Sequence, residues 1–161
     1  MTVGLLSLLA VFGMAVASTQ QSQQDMVAKQ LGDEAMEAVV TARNTQQVAF
    51  DSIQNLSAGG IFLDGMQPIL QPGPDGILGT ADDAGAMVLT EPGPDGIMGT
   101  SDDIQVPLTN YQRQIAIAAV PLAGGGISTT LRSVTITIQY YVPQRRTAKQ
   151  YVFTDYVSKY R

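Results

Sequence analysis

Hydrophobic and polar positions follow three rhythms along this chain. Residues 1–24, MTVGLLSLLAVFGMAVASTQQSQQ, carry no charged side chain, and Met1 to Ala17 are apolar nearly throughout. As a helix that run would span roughly 25 Å, just short of a ~30 Å hydrocarbon layer. No basic residue precedes it and no convincing small-residue cleavage site follows, so it makes a poor secretory signal. From Asp25 a second rhythm starts. Ala28, Leu31, Ala35, Val39 and Ala42 recur at spacings of three and four, which is one face of an amphipathic helix. Met36 and Val40 widen the stripe, while Asp33, Glu34, Glu37 and Arg43 mostly take the other side. The pattern predicts one helix from Met1 to near Asn55, roughly 80 Å long. Gly32 is its expected weak point, at about 1 kcal/mol relative to Ala.

The third rhythm has period two. Gln114 to Val120 reads as a short strand, and Gly124-Gly125-Gly126 as a flexible connection. Leu131 to Val142 alternates, with Val134, Ile136, Ile138 and Tyr140 on one face and Thr135, Thr137, Gln139 and Tyr141 on the other. Pro143 ends this strand, Gln144 to Ala148 turns, and Gln150 to Val157 returns as its partner. The stem around Val39, Val40 and Phe50 is expected to cover the apolar side of the sheet. The fold class expected is therefore α+β: a long N-terminal helix packed on a C-terminal antiparallel sheet, with a long acidic loop region between. The divisions are 1–24 for the apolar half of the stem, 25–56 for its amphipathic half, 57–112 for the loops and 113–161 for the sheet.

Within the loops a repeat stands out. PGPDGILGTADD, residues 72–83, recurs as PGPDGIMGTSDD, residues 92–103. Ca²⁺ takes six to eight hard oxygen ligands from a chain that can curl around it. Asp75, Thr80, Asp82 and Asp83 in the first copy, and Asp95, Thr100, Asp102 and Asp103 in the second, supply such oxygens. One Ca²⁺ per repeat is expected, with Ile77 and Ile97 tucked into the domain to hold the loops down. The spacing is not that of an EF-hand, and two metal-free Asp-Gly turns are the plainer alternative. Mg²⁺ suits the loops less well, because it demands stricter octahedral geometry.

Charge sharpens this reading. No Lys or Arg occurs between Arg43 and Arg113, where nine Asp and Glu residues stand; after Arg113 the sign reverses. Acidic and basic regions could meet between subunits or pair within one. The chain of 161 residues has no Cys, His or Trp and a net charge of −5. Disulfides, His catalysis and Cys nucleophiles are excluded, and no catalytic motif is seen. Arg145-Arg146 reads as a charged hairpin turn, and the acidic balance argues against general nucleic-acid binding. The tyrosines of the last strands read as packing or interface residues.

The opening Met1-Thr2-Val3 before an apolar run, together with the segment LGDEAMEAVVTARNTQQVAFDSI, resembles the stem helix of type IV pilins and of type II secretion pseudopilins, over about the first 55 residues. That resemblance implies a leader removed by prepilin peptidase and a methylated N-terminal residue, a slot that Met1 fits. It implies a subunit held in the bacterial inner membrane before assembly. The subunit then enters an extracellular filament, or a periplasmic pseudopilus, with copies of itself or related pilins. Leu5, Leu6, Leu8, Leu9, Val11, Phe12 and Val16 would form the filament core. The family usually carries Glu at the fifth mature position and Pro near position 22; this chain has Leu5 and Ser22. The function expected is structural and non-enzymatic: a subunit of a type IV pilus-like filament, its head stabilised by Ca²⁺. The alternatives are a pseudopilin or minor pilin, and a monomeric membrane-anchored Ca²⁺-binding surface module.

Overall fold

The computed structural model describes the backbone of residues 2–141 and 148–160 and the side chains from Leu8 onward. It is α+β. Helix α1 runs without a break from Thr2 to Asn44. It is followed by short 3-10 turns at Phe50–Ser52 and Leu56–Ala58 and then by eight strands. These are β1 (Gln67–Pro68), β2 (Leu70–Gln71), β3 (Ala84–Ala86), β4 (Val88–Glu91), β5 (Ile104–Pro107), β6 (Tyr111–Pro121), β7 (Ile127–Tyr141) and β8 (Ala148–Ser158). The turn expected after Pro143, with Arg145 and Arg146, lies outside the described residues, as do Met1 and the side chains of Leu5 and Leu6.

The helix is shorter than its pattern suggests. It stops eleven residues before Asn55, where Gln46 turns to φ 61, the single positive φ among described residues other than glycine. A left-handed residue ends a helix by turning the chain back over its last carbonyls, and the Val48 N–H accordingly donates to Ala42 O at 3.1 Å. The apolar residues beyond, Val48, Phe50 and Ile53, continue into the core through a 3-10 turn rather than along the helix.

The stripe read from the sequence is the stripe that packs. Ala28, Leu31, Ala35, Val39 and Ala42 are all buried against a four-stranded antiparallel sheet of order β1-β6-β7-β8. Opposite them Val134, Ile136, Ile138 and Tyr140 on β7 are fully buried. The helix passes through Gly32 unbroken. That residue sits under Phe153 of β8, where an added Cβ would stand 2.2 Å from the ring. The missing side chain is what lets helix and sheet approach.

The other face of the sheet has nothing upon it among the described residues. Its cross-strand rows are Gln112–Gln139–Gln150 and Gln114–Thr137–Val152, then Ala116–Thr135–Thr154 and Ala118–Ser133–Tyr156. None of these side chains is charged. One edge of β6 is finished by a side chain rather than a strand: the Asn55 amide donates to Ile115 O at 2.7 Å and its carbonyl accepts from Ile117 N–H at 2.8 Å.

Candidate functional site

Two regions of the molecule are built beyond what the core needs. The first is the repeat. Each copy is the loop of its own hairpin: residues 72–83 join β2 to β3, and residues 92–103 join β4 to β5. Both hairpins hang from Met87, whose N–H donates to Ile69 O at 3.1 Å and whose carbonyl accepts from Leu108 N–H at 2.9 Å.

Inside the loops the acidic residues do the same work in both copies. Asp75 Oδ1 accepts from Ile77 N–H and Asp95 Oδ1 from Ile97 N–H, each at 2.8 Å. The hydroxyls of Thr80 and Thr100 lie 2.6 Å from Asp82 Oδ1 and Asp102 Oδ1, and these contacts hold both carboxyls below the usual carboxylate range. Asp83 and Asp103 accept from Gly79 N–H and Gly99 N–H at 2.6 and 2.7 Å. Asp82 and Asp102 crowd Gly73 and Gly93 so closely that no Cβ fits there. The carboxylates are thus turned toward the loops' own N–H and hydroxyl donors. Among the described residues, no three Asp or Glu are grouped so as to hold a metal ion.

The copies differ in what lies beneath and beside them. Ile77, Leu78 and Thr80 of the first are buried, with Gly79 against Ile115 and near Phe62. In the second, Ile97 is 60% and Met98 57% exposed. The expectation that Ile97 tucks into the domain is therefore corrected: nothing among the described residues lies under the second hairpin to receive it. The second difference is charge. Arg113 is 97% buried by its 3% exposure, and burial pushes its guanidinium pKa down while Asp83 and Glu34 push it back up. Among the described residues the second loop has no such neighbour, and its Asp103 Oδ1 is shielded from solvent without a hydrogen-bond partner. In the first loop the matching Asp83 Oδ1 accepts from Gly73 N–H at 3.3 Å.

The second region is the free end of α1. Leu8, Leu9, Val11, Phe12, Met14 and Val16 are between 45% and 74% exposed. Of the filament-core residues named from sequence, those described thus share one bare segment. Among the described residues no helix is long and apolar enough to cross a membrane.

Where the bare segment gives way to the packed one, Asp25, the first charge in the chain, is clamped to the sheet. Its carboxylate accepts from Lys149 Nζ at 2.6 and 2.7 Å and from the Tyr140 hydroxyl. Burial alone would raise the Asp25 pKa, but the bonds from Lys149, Tyr140 and Tyr151 together bring it below the ordinary value. The bond to Asp25 raises Lys149. Tyr111 stacks on Tyr140 at 5.3 Å between ring centroids, and burial pushes its hydroxyl up to about 12. Two arginines also tie the loop and the helix to the sheet. Arg132 donates to Phe50 O at 2.7 Å and lies over the Phe50 ring, and Arg43 donates to the carbonyls of Ser158 and Lys159 at the end of β8. The sequence signals Asp25 only by position. It gives no sign of Asn55 as an edge cap or of Arg113 as a buried cation.

No family model, no curated protein and no solved structure matches this chain.

Proposed function

We propose that the chain is a structural subunit of a type IV pilus-like filament, which assembles through the N-terminal half of α1. The observation that carries this reading is the bare end of the helix. Burying each of those apolar side chains is worth roughly 1.5–3 kcal/mol, so a solitary subunit leaves a large association energy unused. Gly4, Ser7, Ala10, Gly13, Ala15 and Ala17 let copies of such a helix approach closely. No charged side chain precedes Asp25, so the N-terminal ammonium is the one charge that a dry filament core would have to accommodate. The head would face solvent, and the same apolar segment would hold the subunit at the inner membrane before assembly.

In this reading the acidic hairpin loops bind Ca²⁺, which offsets the repulsion among nine acidic residues with no Lys or Arg between Arg43 and Arg113. The second loop is the better supported of the two: its Asp103 Oδ1 lacks a partner, whereas Arg113 already faces Asp83.

The deciding experiment is mass spectrometry of the N-terminal peptide of native protein, alongside electron microscopy of sheared cell supernatant. N-methylated Met1 and thin helical fibres, lost on Phe12→Asp substitution, are expected. An unprocessed N-terminus with no fibres would overturn the proposal in favour of a membrane-anchored module.

A further inference from the structure

We propose that the second hairpin is a plug for a second copy of this chain, and that Ile97 and Met98 seat in the hollow at the far end of β6, beside Arg132. The contact lies in the head and does not require the stem to assemble. The repeat itself shows what its loop fits. The copies differ only at Leu78/Met98 and Ala81/Ser101, and both are held by the same aspartate and threonine bonds. The first copy has a seat. Ile77 and Leu78 are buried, and Gly79 and Asp83 line one small hollow with Ile115 and Arg113. That seat is apolar, with a cation beside the loop's carboxylates. The second copy presents the same plug without a seat. Ile97, Met98 and Ile104 are each more than half exposed, and Asp103 Oδ1 has no hydrogen-bond partner among the described residues. Met98, standing for Leu78, adapts readily to a seat of slightly different shape.

The same chemistry recurs further along β6. Ile115 and Ile117 are alternate residues of this strand, opposite Ile136 and Val134 of β7, so they share the helix side of the sheet. The first hairpin covers Ile115. Ile117 opens instead onto a hollow of about 260 Å³, which it lines with Ala119, Ile127 and Arg132. Ile127 there is 65% exposed. Arg132 forms a wall: it donates to Phe50 O at 2.7 Å and lies 3.9 Å from the Asp51 carboxylate. The loop of residues 92–103 carries Asp95, Asp102 and Asp103 and no Lys or Arg. Its charge therefore complements Arg132, and one bound Ca²⁺ would leave it still negative. A copy's own hairpin does not fill its own hollow. The hairpin is rooted beside Tyr111, and Tyr111 to Ala119 spans about 27 Å along β6 at ~3.4 Å per residue. Plug and hollow are thus different patches of one surface, and copies joined through them run head to tail, into a ring or an open helical row. A second hairpin is the competing occupant of the plug, disfavoured because two acidic loops repel.

The chain has no cysteine, so introduced thiols report contact without background. Full-length Met98→Cys and Ile127→Cys chains, mixed in detergent micelles and oxidised with copper phenanthroline, are expected to give a disulfide-linked dimer. Met98→Cys mixed with Tyr156→Cys is not, because Tyr156 is exposed on the opposite face of the sheet. Adding Ile97→Asp to the Met98→Cys chain should cut the dimer yield about tenfold. Ile97 is exposed, so that change leaves the thermal melt nearly as it is. No dimer from the first mixture, an equal yield with Tyr156→Cys, or a yield indifferent to Ile97→Asp would overturn the proposal. So would a stronger dimer from Met98→Cys alone, which would place two hairpins tip to tip. Wild-type fibres without the cross-link would overturn this contact and leave the filament reading standing; the cross-link without fibres would do the reverse.

Discussion

Gly32 of the helix lies directly beneath the ring of Phe153, so near that a methyl group on its Cα would stand 2.2 Å from the aromatic edge. Gly32→Ala should therefore lose stability although Ala is the better helix former by about 1 kcal/mol, because overpacking of this kind costs about 1–3 kcal/mol. Gly13 has nothing within 4 Å, and Gly13→Ala should leave the urea midpoint unchanged or raised. Equal midpoints for Gly32→Ala and wild type would show that the ring swings aside at no cost.

The two copies of the repeat should respond differently to the same substitution. Ile77 is buried and Ile97 is 60% exposed. Replacing a buried Ile with a small side chain costs about 2–5 kcal/mol, whereas a surface change stays within about 0.5 kcal/mol. Ile77→Ser should lower the thermal midpoint strongly and Ile97→Ser hardly at all. Similar losses from both would mean that the second hairpin is also seated on the domain in solution.

Much of the architecture was legible because its periodicities are strong. Ala28, Leu31, Ala35, Val39 and Ala42 repeat as a helix face must, and Val134 to Tyr140 alternate as a half-buried strand must. The hairpins were hidden because Leu70–Gln71 and Ala84–Ala86 are too short and mixed to alternate, so the segment read as one loop although its repeat was plain. The helix end was misplaced because Val48, Phe50 and Ile53 keep an apolar rhythm past a Gln46 that carries no breaker signal. Ile77 and Ile97 sit in nearly identical local sequence. What separates them is the chain beneath, which no local pattern records.

Ca²⁺ is expected to raise the thermal midpoint of the full chain, and chelation to lower it again. At a free concentration about a hundredfold above the dissociation constant, one bound ion adds about 2.7 kcal/mol to stability. Paired Asp102→Asn and Asp103→Asn substitutions should remove the larger part of the calorimetric signal, and Asp82→Asn with Asp83→Asn the smaller. A midpoint indifferent to Ca²⁺ would remove the ion from the proposed function.

The Asp25–Lys149 clamp sets two limbs of pH dependence. The Asp25 pKa in the folded chain lies below its ordinary 3.8. Its contribution is therefore present above that value and lost as pH falls through the folded pKa. The Lys149 pKa lies above its ordinary 10.5, so its contribution is full below 10.5 and lost as pH rises through the raised value. Asp25→Asn should reduce both limbs. The alkaline remainder belongs to Tyr111, whose hydroxyl is pushed by burial up to about 12, so that its contribution is lost as pH rises through that value. Asp82 and Asp102, which their threonine hydroxyls lower as well, add to the acid limb in the same sense. Denaturant midpoints measured across pH 2–12 would check this, and an unchanged alkaline limb in the variant would assign it elsewhere.

Met87 holds both hairpins by its own two backbone groups, one to Ile69 and one to Leu108. The chain therefore leaves the domain and returns to it at a single point each time a repeat is made. A unit that begins and ends at the same place can be added without shifting the register of anything outside it. That freedom belongs to the second hairpin, since Ile77 and Leu78 tie the first into the core: another exposed hairpin beside it would leave the helix, the sheet and the packing between them as they are.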